Sequence, residues 1–176
     1  HIIERGCFMF KLKEIEKMNE KQRLEYLLYL AEGLLSAKED PIANLSNASA
    51  LINAVLDRLN WVGFYLIKNG QLVLGPFQGL PACVRIGMGK GVCGTAAATK
   101  TTQIVPNVHE FPGHIACDSA SNSELGVPII KNGVLYGVLD LDSPEFNRFS
   151  QSEAQYLERF VEILNRYIDW DEVCYL

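Results

Sequence analysis

A single α+β domain, with a mainly antiparallel central sheet and N- and C-terminal helices packed on one face, is the architecture this sequence predicts. Three observations predict it. Helical apolar periodicity occupies both ends of the chain. Two pairs, Asn69-Gly70 and Asn132-Gly133, lie between runs of β-forming residues and read as two-residue hairpin turns. The 176 residues, 48% of them hydrophobic, suffice for one closed core. Repeats, low-complexity segments and a dividing linker are all missing from the sequence, so one layered domain accommodates the pattern.

The first helix is expected from about Asn19, whose side chain can cap, with Gln22 three residues on to complete a capping box. Leu24, Leu27, Leu28, Leu34 and Leu35 form its apolar stripe. Asp40-Pro41 pairs a cap with a proline at the first helical position. The second helix follows, with Leu45, Ala48, Leu51, Ile52, Val55 and Leu59 at helical spacing. Trp61 to Ile67 and Gln71 to Leu74 flank the first hairpin turn, and Glu124 to Ile130 and Val134 to Leu141 the second. Between the hairpins lie a glycine-rich stretch, a short helix around Thr95 to Thr99, a strand at Gln103 to Val105, and a long loop. Ser150-Gln151-Ser152-Glu153 spells a second capping box, opening a last helix with Ala154, Leu157, Val161, Leu164 and Ile168 on its buried face.

Composition narrows the function classes. A net charge of −5 lacks the basic stripe that nucleic acid calls for. No apolar run approaches the roughly 18 residues of a membrane span. Residues 1–8 read as a vector-derived leader before a native Met9, which sets Cys7 aside and leaves 9–176 as the catalytic domain. Cys83, Cys93, Cys117 and Cys174 remain. They are too few and too dispersed for a disulfide scaffold, and no C-x-x-C or H-x-x-x-H pair suggests zinc. In the cytoplasm, the compartment expected here, disulfides are mostly transient and catalytic.

Three segments carry the candidate chemistry. Pro106 to Ser123 is long for a connection, and loops of this length tend to be functional. Phe111, Ile115 and Ala116 give it apolar groups to pack. It holds Cys117 among His114 and Asp118, and a reactive thiol needs a lowered pKa, which His109 or His114 can supply. Asp140 and Asp142 project from one face of a strand, where two carboxylates in a dry site push one pKa upward and can hold a proton near neutrality. Trp61 and Tyr65, four apart on a strand, share a face as core or as an apolar pocket. Gly89, Gly91 and Gly94 spell G-x-G-x-x-G, but hairpins on both sides argue against a dinucleotide-binding βαβ unit. Lys90 has no Ser or Thr after it, which excludes a P-loop. The glycines instead allow a close approach or a sharp turn into the short helix.

Together these segments resemble the free methionine-(R)-sulfoxide reductases, single-domain proteins of the GAF fold. The resemblance rests on Cys83-x9-Cys93-x23-Cys117, on Gly113-His114-Ile115-Ala116-Cys117-Asp118 with Ser121-Asn122-Ser123-Glu124, and on Gly137-Val138-Leu139-Asp140-Leu141-Asp142-Ser143. It spans roughly Asn44 to Leu164. It implies Cys117 as nucleophile, Cys83 as main resolving cysteine and Cys93 as an auxiliary one, leaving open which of Cys83 and Cys93 resolves first. Glu124, Asp140 and Asp142 are implied as pocket carboxylates, and Trp61 and Tyr65 as aromatics beside the substrate methyl. It further implies reduction by thioredoxin or another dithiol without a bound cofactor or metal, and a homodimer. One departure is Asn107, where the family often carries aspartate. Cys174 reads as a spectator. The rival readings are a GAF module sensing a small ligand and a cysteine redox switch without reductase activity.

Overall fold

The computed structural model describes residues 12–117 and 119–175. The expected leader, Cys7, Met9 and Asp118 lie outside the described residues. Helices α1 (Glu20–Leu34) and α2 (Pro41–Val55) precede strands β1 (Trp61–Lys68), β2 (Gln71–Gly79) and β3 (Arg85–Ile86). Helix α3 (Gly91–Thr99) and strands β4 (Gln103–Val105), β5 (Ser123–Lys131) and β6 (Val134–Ser143) follow, and α4 (Gln151–Tyr167) ends the domain. Short 3₁₀ turns lie at Leu12–Lys17, Val108–Glu110 and Trp170–Glu172.

The helices begin where their caps stand. Asn19 accepts from the Gln22 backbone N–H and Gln22 returns the bond, so the first capping box is complete. Asp40 accepts from the N–H groups of Ile42 and Ala43, with Pro41 opening α2. Two expectations need correction. α2 stops at Val55, short of Leu59, because the chain turns into β1 through Arg58 at φ 57°. The second capping box forms only by half. Ser150 accepts from the Glu153 N–H, but the Glu153 carboxylate is buried against Arg148 at 2.6 Å. A buried carboxylate takes an available guanidinium over an exposed N–H.

All neighbouring strands pair antiparallel in the order β3-β2-β1-β6-β5-β4. Both Asn-Gly turns form, with φ of 53° and 76° at Asn69-Gly70 and 52° and 77° at Asn132-Gly133, the doubly left-handed geometry that matches strand twist. β2 runs on past Leu74 to Gly79, through Gly75-Pro76, because a bulge opposite Gly63 and Tyr65 absorbs the irregularity. β3 had no signal in the sequence, since two residues show no period.

Alternation along β1 divides the molecule. Val62, Phe64 and Leu66 join the large core under α1, α2 and α4. Trp61, Tyr65 and Ile67 face the other way, with Val138 of β6, and are covered by Cys93, Ala96 and Ala97 of α3. The terminal helices thus share one face, as expected, and among the described helices α3 covers the opposite face. That roof makes the pocket.

Gly137 shows how tightly β1 and β6 meet. A Cβ there would lie 2.1 Å from the Tyr65 carbonyl oxygen. Gly137→Ala is therefore expected to lower unfolding free energy by about 1–3 kcal/mol, measured by urea denaturation of the reduced protein. An unchanged midpoint would mean the strand pair yields without cost.

Candidate active site

Register assembles the polar cluster. Trp61 on β1 pairs with Asp142 on β6, and Asp142 in turn pairs with Glu124 on β5. Further along the same strands, Asp140 pairs with Gly63 on β1 and with Gly126 on β5. Asp140 and Asp142 do share a face, as period-two alternation requires. Both line a pocket of about 500 Å³, counting space open at its mouth, together with Trp61, Tyr65 and Glu124.

α3 closes this pocket from above. Gly89 and Gly91 take φ of 77° and 61° to turn the chain from β3 into the helix. A Cβ on Gly94 would meet the Gly87 oxygen at 2.5 Å. The glycine pattern therefore serves a sharp entry into α3. That entry sets Cys93 against Glu124, Sγ to Oε1, at 3.9 Å. Lys90 stands at the helix N-cap without a side-chain capping bond, and it lines the pocket. The first turn of α3 thus contributes positive potential to the same space.

Burial dominates the electrostatics. Glu124 is driven well above the ordinary carboxylate range by desolvation, then by the charges of Asp140 and Asp142. Asp140 is also raised by burial, an effect offset by its hydrogen bonds with Glu124 and Cys93. Burial thus pushes both carboxyls of the pair upward and favours a proton held between them. The Cys93 thiol is pushed well up by desolvation and the surrounding carboxylates, so it stays protonated. One oxygen of Asp140, Oδ1, is buried without a hydrogen-bond partner among the described residues. Cys93, Glu124 and Asp140 place a thiol and two carboxylates within 4.8 Å of one another. The trio offers donors to a cation only after losing the protons that burial holds there.

The aromatic pair is both core and pocket wall. Trp61 stacks on Tyr65 and Phe77 with centroids 5.9 and 5.3 Å away. Their polar atoms anchor the β2–β3 connection. Trp61 Nε1 donates to the Leu80 carbonyl at 3.2 Å, and the Tyr65 hydroxyl donates to the Cys83 carbonyl at 2.9 Å.

Cys83 on that connection is disulfide-bonded to Cys117 on the 106–122 loop, with Cα atoms 5.6 Å apart. Cys117 lies on the pocket wall with His114 and Ile115. Cys93 stays a free, buried thiol. Cys174 lies in the helix-side core and donates to the Tyr136 carbonyl at 3.3 Å, away from the pocket. The loop is pinned at its ends. Asn107 accepts from the His109 N–H, the capping bond an aspartate would make, and the Asn122 amide donates to Pro144. Phe111 packs, but Ile115 and Ala116 are exposed rather than buried. Of the two histidines, His114 reaches the pocket, and burial, then the charge on His109, lowers its pKa. His109 turns instead to Asn122, its Nε2 lying 2.8 Å from Oδ1.

The sequence matches the GAF domain family over residues 28–168. Protein YtsP of Bacillus subtilis is 50% identical over 156 residues, covering 86% of this chain and 96% of that protein. The free methionine-R-sulfoxide reductase of Saccharomyces cerevisiae is 45% identical over 157 residues, 85% of this chain and 87% of the yeast protein. The X-ray structure of the Neisseria meningitidis free methionine-R-sulfoxide reductase in complex with its substrate superposes with a TM-score of 0.77 at 35% identity, covering 95% of this chain and 97% of that one. The chain belongs to the free methionine-R-sulfoxide reductase family of GAF-domain proteins.

Proposed function

We propose that this chain reduces free L-methionine-(R)-sulfoxide to methionine. The observation that carries the reading is the Cys83–Cys117 pair on the rim of a pocket whose floor holds the buried carboxyls of Glu124 and Asp140 beside Trp61 and Tyr65.

Cys117, as thiolate, attacks the electrophilic sulfoxide sulfur, and Glu124 protonates the sulfoxide oxygen. The sulfur–oxygen bond of the substrate breaks. The protonated oxygen passes as hydroxyl to the Cys117 sulfur. The sulfur–sulfur bond formed by the attack breaks with its electron pair going to the substrate sulfur, and methionine leaves as the thioether while Cys117 becomes a sulfenic acid. The Cys83 thiol condenses with the sulfenic acid, releasing water and forming the disulfide. A dithiol, thioredoxin in this reading, supplies two electrons to reopen it. The 5.6 Å Cα separation supports Cys83 as the resolving partner, and Cys93 has an auxiliary part.

The pocket suits a zwitterion. Asp140 and Asp142 face the substrate ammonium, and the buried Oδ1 of Asp140 has capacity for its N–H. Lys90 and the α3 N-terminus face the carboxylate. Trp61 and Tyr65 receive the methyl. A methionine sulfoxide inside a peptide lacks both charges. Lys90→Ala is expected to raise KM roughly 3–10-fold with kcat little changed, as loss of a ground-state contact does. A fall in kcat alone would remove Lys90 from substrate binding.

No described helix is long and apolar enough to cross a membrane. A cytoplasmic location and a homodimer belong to the same reading, supported by the thiol chemistry and by the family. The deciding test is methionine release from the free R epimer, the free S epimer and a blocked peptide, with thioredoxin as reductant. Turnover of the free R epimer alone is expected. No turnover by folded, reduced protein would leave a ligand sensor or a redox switch.

A further inference from the structure

Exposed apolar side chains gather around the disulfide without a folding reason. Leu80 is 64% exposed and Val84 62%, and they bracket Cys83. Ile115, at 37%, stands two residues before Cys117, and its side chain packs over Gly91 beside the turn that exposes Met88, at 40%. The backbone beneath them is held. Trp61 grips the Leu80 carbonyl, Tyr65 the Cys83 carbonyl, and the Leu74 N–H the Val84 carbonyl. Ala82 and Cys83 pack inward from this same strip, so the apolar groups are presented outward on a rigid mount. An apolar patch of this kind marks an interaction surface.

Charge gives the β2–β3 side of the patch a sign. Residues 80–90 include Arg85 and Lys90, both exposed, and no acidic side chain, although the chain carries −5 overall. We propose that Leu80, Val84, Met88 and Ile115, with Arg85 at the rim, form the docking surface for a dithiol protein reductase with an apolar, acid-rimmed active face. The occupant follows from what the patch encircles, a half-exposed disulfide that needs two electrons. This proposal rests on the reductase cycle above only for its purpose. The exchange itself is self-contained. A reductant thiolate attacks one sulfur of Cys83–Cys117, that bond breaks, and the released cysteine takes up a proton. The reductant's second thiol then displaces the mixed disulfide, leaving two thiols here and one disulfide on the reductant.

The test compares the Leu80→Ser/Val84→Ser double variant and Arg85→Glu with the parent. Oxidised protein is mixed with reduced thioredoxin or with dithiothreitol, and newly free thiols are counted by alkylation and mass spectrometry. Reduction by thioredoxin is expected to slow about ten-fold in the double variant, the effect of losing interface anchors, while reduction by dithiothreitol changes less than two-fold. Arg85→Glu is expected to slow only the thioredoxin reaction, most at low salt. Equal slowing with both reductants, or none with either, overturns the proposal. So does a change of oligomeric state in the double variant without a thioredoxin-specific defect, since the patch would then bind a second copy of this chain. Parent protein that thioredoxin reduces but that releases no methionine would sink the enzymatic reading and leave the docking surface standing.

Discussion

Cys117→Ser is expected to cut methionine release by roughly four orders of magnitude or more, the scale seen when the nucleophile is taken from a catalytic unit. A serine hydroxyl is far less nucleophilic toward sulfur than a thiolate, and it offers no sulfenic acid for Cys83 to capture. The comparison belongs under reducing conditions. Closing the Cys83–Cys117 loop, 34 residues in separation, contributes about 4 kcal/mol by loop-closure entropy, so oxidised parent and variant differ in stability for reasons unrelated to chemistry. Cys83→Ser separates attack from resolution. Mixed with excess sulfoxide and no reductant, it should release about one methionine per chain and stop, with Cys117 held as a sulfenic acid. Rapid quench and mass spectrometry of the protein check both outcomes. Full turnover by Cys117→Ser would move the nucleophile elsewhere, and Cys93, protonated and buried beside Glu124, would then have to be reconsidered.

The division between what was legible and what was not follows the range of the interactions. Both Asn-Gly turns, the Asn19–Gln22 box, the Asp40-Pro41 start and the apolar face of α4 are local matters, and each formed as the residues suggested. Asp140 and Asp142 on one face needed only strand alternation. The rest depends on partners far along the chain. Glu153 completes its own capping motif in sequence, but Arg148 claims it in space. That Trp61, Asp142 and Glu124 form one row is a fact of register across three strands, and no single-strand pattern contains it. Lys90 was read only as a failed P-loop lysine, because its place in the pocket depends on where α3 lies over the sheet. Ala116 is exposed, and Ile115 packs only in part, over Gly91 at the pocket mouth, a placement that depends on where the Cys83–Cys117 disulfide draws the loop.

Glu124→Gln should lower kcat by about 10²–10⁴-fold, the usual worth of a positioned general acid, while KM moves little. Glutamine keeps the shape and the hydrogen-bonding partners but has no proton to give. In the parent, activity should decline as pH rises through the elevated Glu124 pKa, and the variant should lack that limb. Stability supplies an independent check with a definite sign. A carboxyl whose folded pKa is raised binds its proton more tightly in the native state than in the unfolded one. Its favourable contribution is complete below the unfolded value near 4.3 and is lost as pH climbs toward the folded value. The oxidised parent should therefore lose about 1.4 kcal/mol per pH unit across that window, and Glu124→Gln should flatten the slope. Asp140→Asn distinguishes the two carboxyls. Placed to meet the substrate ammonium through its Oδ1, unpartnered among the described residues, Asp140 should affect KM more than kcat. If instead Asp140→Asn abolishes the alkaline limb and Glu124→Gln preserves it, the proton resides on Asp140 and the roles of the two groups exchange.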